Sequence, residues 1–291
     1  MRILLFGGES DVRWAGGFLR AAAADVGVHL ELHSIVSEHV RIGLASLQAK
    51  AFDALVLINH APFLGSGANE AQPLVEIVRR EAIRAIVGFE LAQRVSNTVA
   101  LHPGDPESWP VFLAELLKAE PCRLTPETLS MGKNASARSF DSLQSPLIDT
   151  YLLPLFKASK VKVPIVLAWP REAFFDGDVP GQPLPLAIEA AGRARILAYG
   201  PYLPLPVGRW HAKIFLGFSP DIGKMPFIFE VDCDGVITRG FFEVDRGGIF
   251  ALELDFKVAD SLAPIEVRLI SQDSALEGQL SLIEIELRPS V

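Results

Sequence analysis

The chain is short of cysteine, of positive charge and of long apolar runs, and each shortage narrows what it can be. Its 291 residues include two cysteines, Cys122 and Cys233. Neither stands in a Cys-x-x-Cys or Cys/His spacing, so no zinc site or other metal site is suggested, and free buried thiols are expected in place of a disulfide. No apolar run reaches the roughly 18–20 residues that a membrane span needs. Lys+Arg number 27 against 35 Asp+Glu, a formal net charge of −8. No basic cluster is interleaved with aromatics, which argues against nucleic acid and against an anionic membrane surface as partners. The opening MRILLFGGESD lacks the long apolar region and the small-residue cleavage site of a secretory signal, so a cytoplasmic location is expected.

What the chain does have is apolar residues, 49% of the total, a substantial core in a length that suits two ordinary domains or one large one. The first hundred residues alternate between strand and helix patterns. RILLFG (2–7) is a short apolar run ending in glycine. The next stretch has helical spacing, with Trp14, Phe18 and Ala22 on one face. VHLELHSI (28–35) alternates like a strand, 37–52 returns to a helical period with Ser37 as N-cap, and DALVLINH (53–60) reads as a buried strand. Residues 69–83 read as a helix with Leu74, Ile77 and Val78 on one side, and RAIVGFE (84–90) as a further strand. This alternation predicts a doubly wound parallel sheet, flavodoxin-like or receiver-like, covered on both faces. Beyond Leu101 the period weakens. Residues 111–120 and 146–160 read as helices, the second broken at Pro154, and VPIVLAWP (163–170) as a strand completing the first sheet.

From about Arg195 no helical pattern survives. RWHAKIFLGF, PFIFEVDC, VITRGFFEV, GIFALELDFKV, IEVRLIS and QLSLIEIEL all suit strands. In the first, Trp210, Ala212, Ile214, Leu216 and Phe218 share one face, with Arg209, His211 and Lys213 on the other. Asp234-Gly235 signals a tight hairpin. Many short strands at this spacing predict a β-sandwich. With DGDVPGQPLP (176–185) as the boundary, the expectation is an α/β domain over 1–175 and an all-β domain over 186–291.

The phrase YGPYLPLPVGRWHAKIFLGF (199–218) resembles the segment of galactose-binding-like jelly rolls in which an LPxGxY/W phrase passes into a core strand. Carbohydrate-binding modules of that fold carry it, and tails attached to alphaproteobacterial glycosyltransferases and polysaccharide-assembly proteins look similar. The resemblance covers about the last third of the chain. It implies a C-terminal jelly-roll β-sandwich in which Leu205, Pro206, Gly208 and Trp210 are structural. It also implies glycan binding, in bacterial polysaccharide assembly, modification or surface attachment. No cofactor is implied.

Candidate site residues fall in both halves. In the tail, Tyr199, Tyr202, Trp210, Phe241 and Phe242 could supply flat rings for the C–H face of a pyranose. Trp210 belongs to the inward set. Tyr202 sits among prolines, in what reads as a stiff exposed loop, and Phe241 and Phe242 must point to opposite faces. Tyr202, Tyr199 and Arg209 are therefore the ligand-binding candidates here. In the α/β half, ligands are expected beyond the carboxyl ends of the strands. Those ends supply Glu9, Ser10 and Asp11, then Asn59 and His60, then Glu90, then His102 and Asp105. Ser10 in GES stands where the GDS serine of SGNH-type esterases would stand, but the DxxH motif of that family is absent. Ser10, His60 and His102 are the catalytic candidates, and Asn59 and Glu90 the ligand-binding ones. A carbohydrate-active enzyme is thus the second reading, and a scaffold whose sandwich forms an oligomer interface the third.

Overall fold

A computed structural model describes residues 1–36, 52–58, 63–64, 74–95, 97–101, 108–118, 138–139, 145–160 and 165–290. The chain divides into two compact units. The first comprises residues 1–71, 84–143 and 159–161, and the second 72–83, 144–158 and 162–291.

In the first unit, strands β1 (Arg2–Gly7), β2 (Glu31–Val36), β3 (Ala54–Ile58) and β5 (Thr98–Leu101) form a parallel sheet in the order β2-β1-β3-β5. Every residue of β3 is buried, as expected of a strand covered on both faces. Helix α1 (Glu9–Asp25) lays Phe18 and Ala22 into this core, with Trp14 packed against it. Trp14 also meets Trp109 of helix α3 (Trp109–Leu117), with ring centroids 5.7 Å apart. The glycine at the end of β1 has a packing cause. A Cβ on Gly7 would come within 2.9 Å of the Ile58 Cβ, closer than two such atoms approach. A two-residue ladder joins β4 (Phe63–Leu64) to β6 (Arg138–Ser139).

Two sequence expectations meet a different outcome here. Residues 84–90 are not a strand. They continue helix α2 (Leu74–Arg94), and the sheet's fourth strand is β5 instead. Ala85, Ile86 and Val87 are all fully buried, and a helical stretch buried all round has the same unbroken apolar look as a buried strand. The expected helix over 37–52 lies almost wholly outside the described residues.

The second unit is a sandwich of two antiparallel sheets. Its short strands are β7 (Leu167–Pro170), β8 (Phe175–Asp176) and β9 (Ile188–Glu189). Its long strands are β10 (Arg195–Leu203), β11 (Gly208–Phe218), β12 (Met225–Asp232), β13 (Val236–Val244), β14 (Gly248–Val258), β15 (Ile265–Ser271) and β16 (Gln279–Pro289). One sheet has the order β13-β12-β15-β10-β8, the other β14-β11-β16-β7, with β9 also paired to β16. Burial alternates along β11 and β15 as a half-buried strand requires, and Trp210, Ala212, Ile214, Leu216 and Phe218 face inward. The expected hairpin joins β12 to β13, with Asp234 and Gly235 both at positive φ.

The strand within VPIVLAWP is a further correction. It is β7, which pairs with β16 of the sandwich, while β8 pairs with β10. The Gly/Pro segment 176–185 therefore runs inside the second unit. Arg195 holds it there by a bidentate pair with Asp178, at 2.6 and 3.0 Å, and is itself fixed by bonds to the Glu189 and Ala191 carbonyls beyond the segment. The π-helical turn Ile148–Leu152 and helix α4 (Leu153–Lys160) precede β7. The buried Tyr151 hydroxyl donates to the Pro204 carbonyl, and Tyr151 packs 6.4 Å from the fully buried Trp169. Among the described residues no helix is long and apolar enough to cross a membrane.

Candidate functional site

The outer face of the sheet β13-β12-β15-β10-β8 gathers aromatic and charged side chains side by side. Strand β10 is the reason. Its pairing with β15 shifts register between Ile196 and Ala198 and again between Pro201 and Leu203. A bulge inserts an extra residue and re-aims the side chains beyond it. Ile196, Tyr199 and Tyr202, spaced by three, thus reach one face, where strict alternation would send Tyr199 and Tyr202 to opposite sides. Tyr202 is the residue left without a partner at the second shift, and its φ is +60°. That conformation costs a non-glycine residue about 1–2 kcal/mol, so its surroundings must hold it there.

Three rings meet at this corner. Phe175 of β8 lies 5.5 Å from Tyr199 and 6.4 Å from Tyr202, and the two tyrosines are 6.2 Å apart. Phe175 and Tyr199 are tilted by 30°, close to a common floor, and Tyr202 stands at 71° to Tyr199 as a wall. All three are half-buried. Gly200 makes the floor possible, since a Cβ there would press on the Phe175 ring at 3.2 Å.

Beside the rings lies a row of charge. In register across the strands stand Arg239, Glu230, Arg268 and Tyr199, with Asp232 and Glu266 one step along. Arg268 clasps both oxygens of Glu266, at 3.0 and 2.5 Å, and its remaining terminal nitrogen lies 3.5 Å from Asp232 and 3.7 Å from Glu230. Arg239 donates to Glu230 at 2.6 Å. The Tyr202 hydroxyl donates to Glu266 at 2.9 Å. Burial, then this bond to a carboxylate, pushes the Tyr202 pKa up to about 12, so the phenol stays protonated and donating at neutral pH. The Tyr199 hydroxyl accepts the Gly181 N–H at 2.8 Å, which leaves its own proton to donate outward.

Arg79, from the part of helix α2 that belongs to this unit, completes the corner. Its Nε donates to the Tyr202 carbonyl at 2.8 Å and its guanidinium lies 5.9 Å from the centre of the Tyr202 ring. Glu76 braces it at 3.0 and 3.2 Å. The left-handed residue is thus held at its carbonyl, its ring and its hydroxyl.

The structure separates the sequence candidates. Tyr199 and Tyr202 are brought together, but Tyr202 lies within a strand and not in the expected loop, because the bulge lets the chain keep pairing past Pro201. Arg209 is not with them. It stands exposed on the outer face of the other sheet, opposite Lys257. Trp210 is core, its Nε1 donating to the Pro206 carbonyl at 2.9 Å. Phe241 is 66% exposed, while Phe242 stacks inward on Phe227 at 5.4 Å. Glu90 does not follow a strand. It lies in α2, as the helical course of residues 84–90 requires. Ser10 lies in the first turn of α1. Asn59, His60, His102, Asp105 and Cys122 lie outside the described residues, and Cys233 is a free, half-buried thiol. Sequence reasoning missed Phe175, Arg79 and the charged row. The outward parity of Glu266 and Arg268 in IEVRLIS was the one available signal. Among the described residues no group of three or more His, Cys, Asp or Glu is placed to hold a metal ion. Both oxygens of Glu266 are already engaged, so the face is built to present fixed donors, acceptors and ring surfaces.

No family model matches the chain, and no curated protein matches it. Similar solved structures include the apo form of BiXyn10A CBM1, at 15% identity over 36% of this chain and 72% of that one, TM-score 0.27. The K1 cleaved adhesin domain of Lys-gingipain from Porphyromonas gingivalis W83 is 12% identical over 43% of this chain and 99% of that one, TM-score 0.32. TmCBM61 in complex with beta-1,4-galactotriose is 9% identical over 43% and 88%, TM-score 0.27. Several of the similar structures are carbohydrate-binding modules. All these scores lie below 0.5.

Proposed function

We propose that the second unit binds a saccharide on the outer face of the sheet β13-β12-β15-β10-β8. One observation carries this reading: a half-exposed triangle of Phe175, Tyr199 and Tyr202 abuts a row of carboxylates and guanidiniums locked in place by one another. A sugar has an apolar C–H face and a rim of hydroxyls. A ring floor beside pre-oriented donors and acceptors matches both, and because the network is already ordered, little entropy is lost on binding. The strain at Tyr202 is in keeping with a functional site. A role in bacterial polysaccharide assembly, modification or surface attachment is the context proposed for this binding. The crossings of the chain between the two sheets suit a jelly roll. For the first unit, the order β2-β1-β3-β5 supports a flavodoxin-like sheet.

A broad glycan array probed with the full chain tests the proposal. Binding of a defined set of glycans, lost in Tyr199→Ala, is the expected result. Absence of binding to any glycan would remove it and leave the scaffold reading first.

A further inference from the structure

We infer that this face takes a single, uncharged sugar unit, such as a chain end or a branch, and not an extended or acidic glycan. The inference rests on the saccharide reading above and concerns what the same face selects.

The size of the ring cluster is the first ground. The three centroids form a triangle with sides of 5.5, 6.2 and 6.4 Å. That is one platform with one wall, about the footprint of one pyranose. A track for a chain would instead space its rings along a line. The edges of the cluster are the second ground. On one side the next row across the strands is apolar: Phe241, Ile228, Ile270 and Ile196 stand in register. A second sugar there would find no donor or acceptor side chain for its hydroxyls, and buried hydroxyls without partners cost affinity. On the other side Tyr202 and Arg79 close the corner.

Charge is the third ground. Glu230, Asp232 and Glu266 face Arg239 and Arg268, so the row holds one more negative charge than positive. Arg79, the remaining cation, is matched by Glu76. Arg268 is committed to three carboxylates. A uronate or a phosphorylated sugar would have to displace one of these pairs or sit beside like charge, whereas hydroxyls can share the existing carboxylates and N–H groups.

The test is titration calorimetry on the full chain. The probes are methyl glycosides of glucose, galactose, mannose and xylose, their linear oligomers of two to six units, and the matching methyl uronides. The expected result is that a methyl glycoside binds and its oligomers bind within about twofold of it. The uronide should bind at least about fivefold more weakly, the effect of one like charge near a partly exposed carboxylate row. Phe241→Ser, in the apolar row, should leave all of these unchanged. Tyr199→Ala should weaken binding by about tenfold or more, and Tyr199→Phe, which keeps the ring, guards against a folding defect by retaining most of it. Affinity that climbs with chain length, or falls in Phe241→Ser, would show an extended track and overturn the inference while leaving saccharide binding intact. A uronide that binds more tightly than its neutral parent would overturn it as well. If no probe binds and a glycan array is also blank, the saccharide reading itself fails.

Discussion

Tyr202 concentrates the physics of the site in one residue. It occupies a left-handed conformation within a strand, and Arg79 and Glu266 fix it from two directions. Arg79 is thus a positioning residue. Arg79→Met should weaken binding of an array-identified sugar by about threefold to tenfold, part of the roughly 1.5–3 kcal/mol that a hydrogen bond from a charged donor is worth, and should also lower the melting temperature by a few degrees as Tyr202 loses its brace. Arg79→Lys should not restore it, because one ammonium cannot stand in for both the Nε that donates to the carbonyl and the terminal nitrogen that meets Glu76. A Lys variant with full affinity would show that Arg79 supplies charge alone. The hydroxyl makes a separate prediction. Its folded pKa of about 12 lies above the ordinary tyrosine value near 10. The group therefore contributes stability that is present below about pH 10 and is lost as pH rises toward 12. The chain has three tyrosines. Burial pushes the Tyr151 phenol up as well, so absorbance titration of tyrosinate should show a smaller amplitude near pH 12 in Tyr202→Phe, and an undiminished amplitude would mean that Tyr202 does not titrate there.

At the scale of elements, β10 decides where the site can form, and of the long strands of the sandwich it was the one the sequence did not reveal. Its glycine and proline read as a loop, whereas two register shifts let the chain continue as a strand while turning every third side chain outward. The stretch just upstream fits tightly against it. A Cβ on Gly177 would lie 2.1 Å from the Ile196 carbonyl oxygen, a clash with backbone. Gly177→Ala should therefore destabilise the second unit by at least about 1–3 kcal/mol, read by urea unfolding, because neither chain segment can move aside cheaply. A neutral Gly177→Ala would mean that the contact with β10 is loose. The strands that alternate cleanly, β11 to β16, were legible because one face is core and the other wet. The helical residues 84–90 were not, since full burial erases the period that separates helix from strand. Strand β5 has only four residues, too few to show any period. For β7 the strand was legible but its sheet was not, because an apolar run does not say which partner buries it. Tyr199 and Tyr202 were found by chemistry, and their neighbours Glu266 and Arg268 only by register.

On the scale of the whole molecule, the sandwich draws on residues well before 186. Trp169, Tyr151 and β8 all belong to its unit. We propose that a fragment of residues 144–290 folds alone as a β-rich domain. A fragment of 186–290 lacks β7, β8 and the Asp178 partner of Arg195, and should melt at lower temperature or remain unfolded by circular dichroism. Equal melting of the two would return the boundary to 176–185. The Asp178–Arg195 pair adds a dependence on acid. The hydrogen bond from Arg195 holds the Asp178 carboxyl below its ordinary range. Such a group stabilises the fold above its unfolded pKa of about 3.9, and that share is lost as pH falls through the lower folded value. Asp178→Asn should flatten the acid limb of melting temperature against pH. An unchanged limb would show that the pair is too exposed to matter.

The central claim is that binding resides on one sheet face of the sandwich, and a paired affinity measurement tests it most directly. For the best glycan from the array, dissociation constants would be compared for the wild type, Tyr199→Ala and Arg209→Ala, each checked for an unchanged melting temperature. Tyr199 lies on the ring-and-charge face, and Arg209 on the outer face of the opposite sheet. The expected result is a loss of about tenfold or more for Tyr199→Ala, roughly the worth of one ring contact, and no change for Arg209→Ala. Full affinity in Tyr199→Ala together with a loss in Arg209→Ala would place the site on the other sheet and contradict the claim.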